Sequence, residues 1–282
     1  MKVCGRNKCC IIKERNHLDF ETLGHTVQTL SKKVKGDISL HIHTEEGEIG
    51  YGSATPLIAA SLIKVPCVYA AVLKSKEGTF ELDEETIVSA EQKIGGTGVL
   101  FHMPGEVRIT NRQLLSLMIT VSDNTATNVI IDRIGIPYIQ KTMVSAGCDS
   151  SWIKRKIIHT DPNTQPLNNI MSARDFNRIL MAINQGKNLT EENREFILSS
   201  LTGQQINHKL PYLFSDGLPP TVRVAHKTGD DIGMEHNGGM ICLNGKTAYV
   251  TVMTVKLETN IEGQEYIRKV GKAVYNYLSG YI

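Results

Sequence analysis

The 282-residue sequence contains no apolar run of the roughly 18 residues that a membrane-spanning helix needs, which excludes a helical membrane segment. Its N-terminal stretch, Met1 to Asn16, carries basic residues but no apolar core of the kind a secretory signal has, so the cytoplasm is the expected compartment. Excess charge of one sign is missing too. The 31 basic and 29 acidic residues are spread along the chain and leave a formal charge of +2, which argues against nucleic acid or an anionic membrane as partner. A small-molecule or peptide substrate remains, and a monomer is the expected form. Six cysteines are present (Cys4, Cys9, Cys10, Cys67, Cys148 and Cys242), but there is no C-x-x-C pair and no disulfide-like spacing. Reduced thiols are expected from that spacing; the alternative, metal binding or oxidation at the cluster Cys4, Cys9 and Cys10, finds no fourth ligand at a recognisable spacing. No repeat, low-complexity stretch or Gly/Ser/Pro linker divides the chain. An apolar content of 41% therefore goes into one large domain or two intertwined halves.

The apolar spacing predicts a helix from about Leu18 to Val34, a strand from Ile38 to His43 and a returning strand from Ile49 to Tyr51. From Ala60 to about Leu201 the pattern is helical, with Thr110 and Gln113, and Ser172 and Asp175, placed as capping-box pairs. Val222 to Ala225, Gly239 to Leu243 and Ala248 to Val255 read as strands, the last two joined by the hairpin signal Asn244-Gly245. A helix from about Glu262 to Leu278 closes the chain. The order helix, hairpin, helical block, three strands, helix predicts an α/β (α+β) fold: a mostly antiparallel sheet flanked by N- and C-terminal helices, with an all-helical subdomain inserted. The expected boundaries are an N-terminal extension over 1–17 and one domain over 18–282, with an α/β part at 18–56 and 216–282 and a helical part at 57–215. A substrate cleft is expected where the two parts meet.

Ser61-Leu62-Ile63-Lys64 opens an apolar helix carrying Val65, Val68, Tyr69, Val72 and Leu73. A separation of three residues sets the Lys64 amine one turn above the Ser61 hydroxyl on the same face. A serine hydroxyl is a poor nucleophile until a nearby base takes its proton, and a lysine serves when desolvation or a neighbouring cation lowers its pKa. The helix N-terminus also favours negative charge developing at Ser61. By itself S-x-x-K is weak, arising by chance in roughly half of chains this long. Ser151-Trp152-Ile153-Lys154 matches it too, but leads into Arg155, Lys156 and a proline-containing loop and is read as a decoy.

Ser122-Asp123-Asn124 falls between a helix ending at Val121 and another, Thr125 to Ile134, that Gly135 terminates. In isolation it reads as a capping turn. Lys227-Thr228-Gly229 continues the strand Val222 to Ala225, fixing a cation and a hydroxyl on a rigid edge where glycine lets a ligand approach the backbone. In isolation it reads as an edge-strand lysine that blunts aggregation. Both tripeptides in this order after S-x-x-K arise by chance on the order of once in a thousand chains, so the combination points to one chemistry.

That combination is the signature of class A β-lactamases and penicillin-binding proteins, and the sequence resembles the class A β-lactamase family. The likeness includes Gly95-Gly96-Thr97-Gly98-Val99-Leu100, the stretch Leu114 to Asp132 and the closing helix, covering about Phe20 to Leu278. It implies a β-lactamase/transpeptidase-like fold and a set of roles. Ser61 is acylated, Lys64 shuttles its proton, and Ser122 relays a proton to the leaving nitrogen. Asn124 holds Lys64 and the substrate amide, Lys227 and Thr228 bind the substrate carboxylate beside Gly229, and the backbone N–H groups of Ser61 and Asp230 form the oxyanion hole. No metal or organic cofactor is implied, because an activated serine with backbone oxyanion donors carries out acyl transfer unaided.

The sequence departs from the family in three places. Class A enzymes carry a deacylating Glu in R-x-E-x-x-L-N, and the matching stretch runs from Pro162 to Asn168. Leu167 and Asn168 match, whereas Thr164 stands in place of the Glu and Pro162 in place of the Arg. A threonine hydroxyl is not basic enough to activate water at neutral pH, which leaves Asp161 or His159 as replacement bases, or none. Asp231 to Met240 lacks the arginine that assists carboxylate binding in the family, with His226 and His236 able to contribute charge only when protonated. The third departure is the missing signal peptide. The expectation is a serine hydrolase that opens β-lactam amides through acyl-Ser61, with slow deacylation. The alternatives are a D-amino-acid peptidase or esterase of the penicillin-binding type, and a β-lactam-binding sensor without turnover.

Overall fold

The Asp19 carboxylate caps the first helix by accepting from Thr22 N at 2.8 Å, and from there the chain is traced in a computed structural model that describes residues 19–157, 168–214 and 222–280. Helix α1 (Phe20–Ser31) leads into strands β1 (Asp37–Thr44) and β2 (Gly47–Tyr51), then the short β3 (Leu57–Ile58) and a 3-10 turn at Ala60–Ile63. The helical block follows, with α2 (Lys64–Lys76), β4 (Glu85–Val88), β5 (Val107–Thr110), α3 (Asn111–Thr120), α4 (Asn124–Ile134), α5 (Ile136–Ser145), β6 (Ile170–Met171), α6 (Ala173–Asn184) and α7 (Glu191–Thr202). Strands β7 (Arg223–Asp231), β8 (Met234–Leu243) and β9 (Lys246–Val255) and helix α8 (Asn260–Ser279) complete the fold.

The five-stranded sheet has the order β2-β1-β9-β8-β7, antiparallel throughout, so strands from both ends of the chain meet at β1 and β9. This is the expected α/β architecture, with β7 and its Lys227-Thr228-Gly229 at an edge. Alternation on β1 explains the layering. Leu40 and Ile42 are buried with Val250, Val252, Ile267 and Val270 under α1 and α8, while Ser39 and His41 face α6. A second core fills the helical block around Leu62, Val68, Leu114, Met118, Ile130 and Ile179. Asn244 and Gly245 take φ of 53° and 78°, the pair of positive values that a two-residue hairpin with the strands' own twist needs.

Strands β7 and β8 extend beyond the apolar segments that announced them, because polar residues such as Lys227, Glu235 and Asn237 are buried rather than exposed, and β9 gains Lys246 and Thr247 by pairing with Leu243 and Cys242 across the hairpin. Thr110 and Gln113 form the expected reciprocal capping box. Ser172 caps α6 by accepting from Asp175 N, but Asp175 does not reach back. Its shorter carboxylate instead accepts from Ser150 N and Ser151 Oγ, each at 2.8 Å. The pairs β3–β6 and β4–β5 inside the helical block are additions that no periodicity signalled.

Candidate active site

Ser61 sits in the 3-10 turn, half-buried, while Leu62, Ile63 and Lys64 behind it are wholly buried. Ala60 just before it has φ of 43°, a left-handed conformation that costs a non-glycine residue energy and persists only where the surroundings impose it. Two neighbours do so here. Ala59 N donates to Asn169 O at 2.9 Å, and β7 passes so close that a Cβ on Gly229 would stand 3.2 Å from Ser61 N. The motif glycine is therefore what lets the sheet edge reach the serine's backbone.

Lys64 projects into the turn between α3 and α4. Its Nζ bonds Ser122 O at 2.5 Å, Ser122 Oγ at 2.9 Å and Asn124 Oδ1 at 2.8 Å, and none of these bonds goes to Ser61 Oγ. Burial pushes the ammonium down to about 7, against the weaker opposing pull of Asp123 and Asp230. Ser122 aims both its oxygens at the amine by adopting φ of 57°. Asp123 makes that turn rigid. One carboxylate oxygen accepts from Val99 N at 2.7 Å and Leu100 N at 2.9 Å, and the other caps α4 through Ala126 N at 2.9 Å. Gly98 has φ of 115°, and a Cβ there would lie 2.4 Å from the Asp123 carboxylate. The Gly95–Leu100 segment thus packs on the turn, with Thr97 Oγ1 donating to Ser122 O at 2.7 Å and Asn124 Nδ2 to Gly95 O at 3.1 Å.

On β7, Lys227 is fully buried and donates to Thr228 O at 2.8 Å. Burial, with help from the charges of Lys64 and Lys209, holds its pKa well below the usual lysine range. Thr228 Oγ1 is buried and makes no hydrogen bond among the described residues. His226 and His236 do not supply the missing cation. Burial pushes them down to about 3 and about 4, and their rings are spent on Asn207 and Asn237, and on Ile58 O and Thr254 N. The sequence reading missed Lys209, a wholly buried lysine paired with Glu235 and with Asp230. Nothing in its local pattern marks it, since its neighbours are His208 and Leu210 and its partners lie on β7 and β8.

A cleft of about 880 Å³ opens over these elements, bordered by Ser61, Asn124 and Asp230 of the expected residues. Lys64, Ser122, Lys227 and Thr228 are buried and do not line it. Arg155, Asn168, Asp231 and Asn260 add polar groups to its walls. The decoy serine, Ser151, is buried and donates to Asp175 Oδ2 at 2.8 Å, while Lys154 lies over the Trp152 ring. His159, Asp161, Pro162, Thr164 and Leu167, like Cys4, Cys9 and Cys10, lie outside the described residues.

Among curated proteins there is no match. Among solved structures, a beta-lactamase from Sphaerobacter thermophilus DSM 20745 is similar at 24% identity and a TM-score of 0.84, covering 93% of this chain and 97% of that one. PBP-A is similar at 26% identity and a TM-score of 0.81, with the same coverage of 93% and 97%. The TLA-1 extended-spectrum beta-lactamase is similar at 20% identity and a TM-score of 0.81, covering 92% and 98%. The model of the beta-lactamase enzyme family matches residues 22–278, a span that holds Ser61, the α3–α4 turn and the β7 edge together, and the chain belongs to that family.

Proposed function

We propose that the protein is a serine hydrolase that opens β-lactam or related amides through an acyl-Ser61 intermediate, with slow release of the acyl group. The observation that carries this reading is Lys64: a wholly buried amine bonded to Ser122 and Asn124 one turn from Ser61, with its pKa brought down to about 7. As a neutral amine it has two N–H donors and one lone pair. Of its three partners only the Ser122 hydroxyl can donate, so the lone pair takes the Ser122 proton while Ser122 Oγ takes that of Ser61. Ser61 Oγ then bonds to the carbonyl carbon, and the oxyanion is met by the N–H groups of Ser61 and Asp230. The C–N bond breaks as the Lys64 ammonium returns a proton through Ser122 to the leaving nitrogen. Asn124 faces the cleft to orient the substrate amide, and Lys227 and the Thr228 hydroxyl, which has no partner among the described residues, receive a substrate carboxylate, whose charge favours the lysine's protonated form.

Threonine at position 164 in place of the family's Glu favours a slow or absent second step. A penicillin-G acyl-enzyme of a PBP-A variant has been solved for that protein, which makes a penicillin-binding peptidase or a non-turnover receptor the second reading. The test is a time course with a chromogenic cephalosporin, following product absorbance and intact mass in the wild type and in Ser61→Ala. Continuing turnover lost in Ser61→Ala establishes the hydrolase. One equivalent of product with a lasting mass increase establishes the receptor or peptidase, and neither signal sinks the β-lactam assignment.

A further inference from the structure

Lys209 belongs to no motif, yet its side chain is wholly buried against the end of β7 that borders the cleft. Its ammonium pairs with Glu235, lies 3.3 Å from Asp230 Oδ1 and donates to Gly229 O at 3.1 Å. Glu235 is itself 2% exposed, and its other oxygen accepts from Asn260 Nδ2 at 3.0 Å and Gln264 Nε2 at 2.9 Å. The cation is thus fixed from behind by a carboxylate anchored on α8. Gly229 C=O and Asp230 N–H are the two ends of one planar peptide unit and point in opposite directions. A cation bonded to the oxygen draws electron density along that unit and makes the N–H at its far end a stronger donor, as hydrogen-bond chains do in a low-dielectric interior.

We propose that Lys209 is a positioning residue for the oxyanion hole: it fixes and polarises the Gly229–Asp230 peptide, so that Asp230 N–H binds the developing oxyanion more tightly. The inference rests on the acyl-Ser61 reading above and adds a residue to it. A merely structural role accounts poorly for the choice of side chain. Burying an ion pair costs more in desolvation than packing two apolar side chains of similar volume, and the latter would hold the segment around residue 209 against β7 and β8 at least as well.

The test combines acylation kinetics with the infrared stretch of the acyl-ester carbonyl, recorded by rapid mixing with penicillin G labelled with 13C at the lactam carbonyl. Lys209→Met is compared with the wild type, with Lys209→Arg, and with the double variant Lys209→Met/Glu235→Gln, in which no carboxylate is left buried without a partner. Near-UV circular dichroism and thermal unfolding identify which variants are folded. In folded Lys209→Met or the double variant, acylation is expected to slow by at least about tenfold, with pre-acylation binding changed far less, and the carbonyl band is expected to move to higher frequency. Lys209→Arg should restore both in part. A folded variant lacking the cation that acylates at the wild-type rate with an unmoved band overturns the proposal. A wild type that takes up no label overturns the acyl-enzyme reading and this inference with it.

Discussion

At the scale of single residues the site is governed by what burial does to basic groups. Lys64 is held near neutrality mainly by loss of water, so its free-base fraction rises as pH climbs through about 7. If the free amine takes the proton, the acylation rate constant should rise with pH through that value and then level off. A pH profile of single-turnover acylation checks this, and a flat profile between pH 5 and 9 would remove Lys64 as the base. Lys64→Arg cannot lose its proton in this range and should acylate about 10²–10⁴-fold more slowly, with no inflection. His226 and His236 provide a separate, thermodynamic reading. Burial, reinforced at His226 by the neighbouring Lys227 charge, lowers both below the ordinary 6.5, to about 3 and about 4. A depressed folded-state pKa means that the unfolded chain binds more protons between the two values, so stability is full above 6.5 and falls as pH drops toward 3. Each histidine contributes a slope of up to about 1.4 kcal/mol per pH unit within that window. Urea unfolding at pH 7 and pH 4.5 should show the loss, and His226→Gln should make it shallower.

At the scale of elements, the turn between α3 and α4 is set by Asp123 rather than by the residues that touch Lys64. Its carboxylate is buried and accepts three backbone N–H groups, so nothing replaces those bonds when it is removed. Asp123→Ala should cost about 3 kcal/mol by chemical denaturation. Gly98→Ala places a methyl group 2.4 Å from that carboxylate at a φ of 115°, and should displace Ser122 enough to slow acylation at least about tenfold while costing about 2 kcal/mol. A normal acylation rate in Gly98→Ala would mean that the turn tolerates the shift. These elements were legible in advance because local chemistry announces them: a Ser-Asp-Asn cap between two apolar helices, Gly135 as a stop, Asn244-Gly245 as a hairpin. Strand β7 was legible as far as Gly229, whereas residues 234–238 of β8, the pairs β3–β6 and β4–β5, and the Lys209–Glu235 pair were not legible. Each depends on partners far apart in the chain, or on polar side chains that only tertiary contacts bury. The stretch in which Thr164 stands where the resemblance calls for a Glu lies outside the described residues.

At the scale of the whole molecule, the cleft exists because two cores close on one seam. The 3-10 turn and the α3–α4 turn come from the helical block, β7 comes from the sheet, and α6 joins block to sheet. Asn177 on α6 is wholly buried and donates to His41 O at 3.0 Å and Tyr249 O at 3.2 Å, while its oxygen accepts from Thr251 Oγ1 at 2.6 Å. Beside it Phe176 lies directly on Gly238 of β8, where a Cβ would stand 2.3 Å from the ring. One helix thus reads three strands, β1, β8 and β9, through one amide and one aromatic face. Removing the amide strands several backbone and side-chain groups without partners in a dry interior, which water cannot re-solvate. Asn177→Ala should therefore cost about 3 kcal/mol, a fall of roughly 6–10 °C in Tm. Because the lost bonds tie the helical block to strands β1 and β9 of the sheet, unfolding should stay a single transition, and acylation should weaken in step with the loosened seam. Calorimetry on the variant, alongside its acylation rate, decides the matter. Two resolved transitions, or a lowered Tm with wild-type acylation, would mean that the cleft is held by β7 and the 3-10 turn alone and that α6 only fills space behind it.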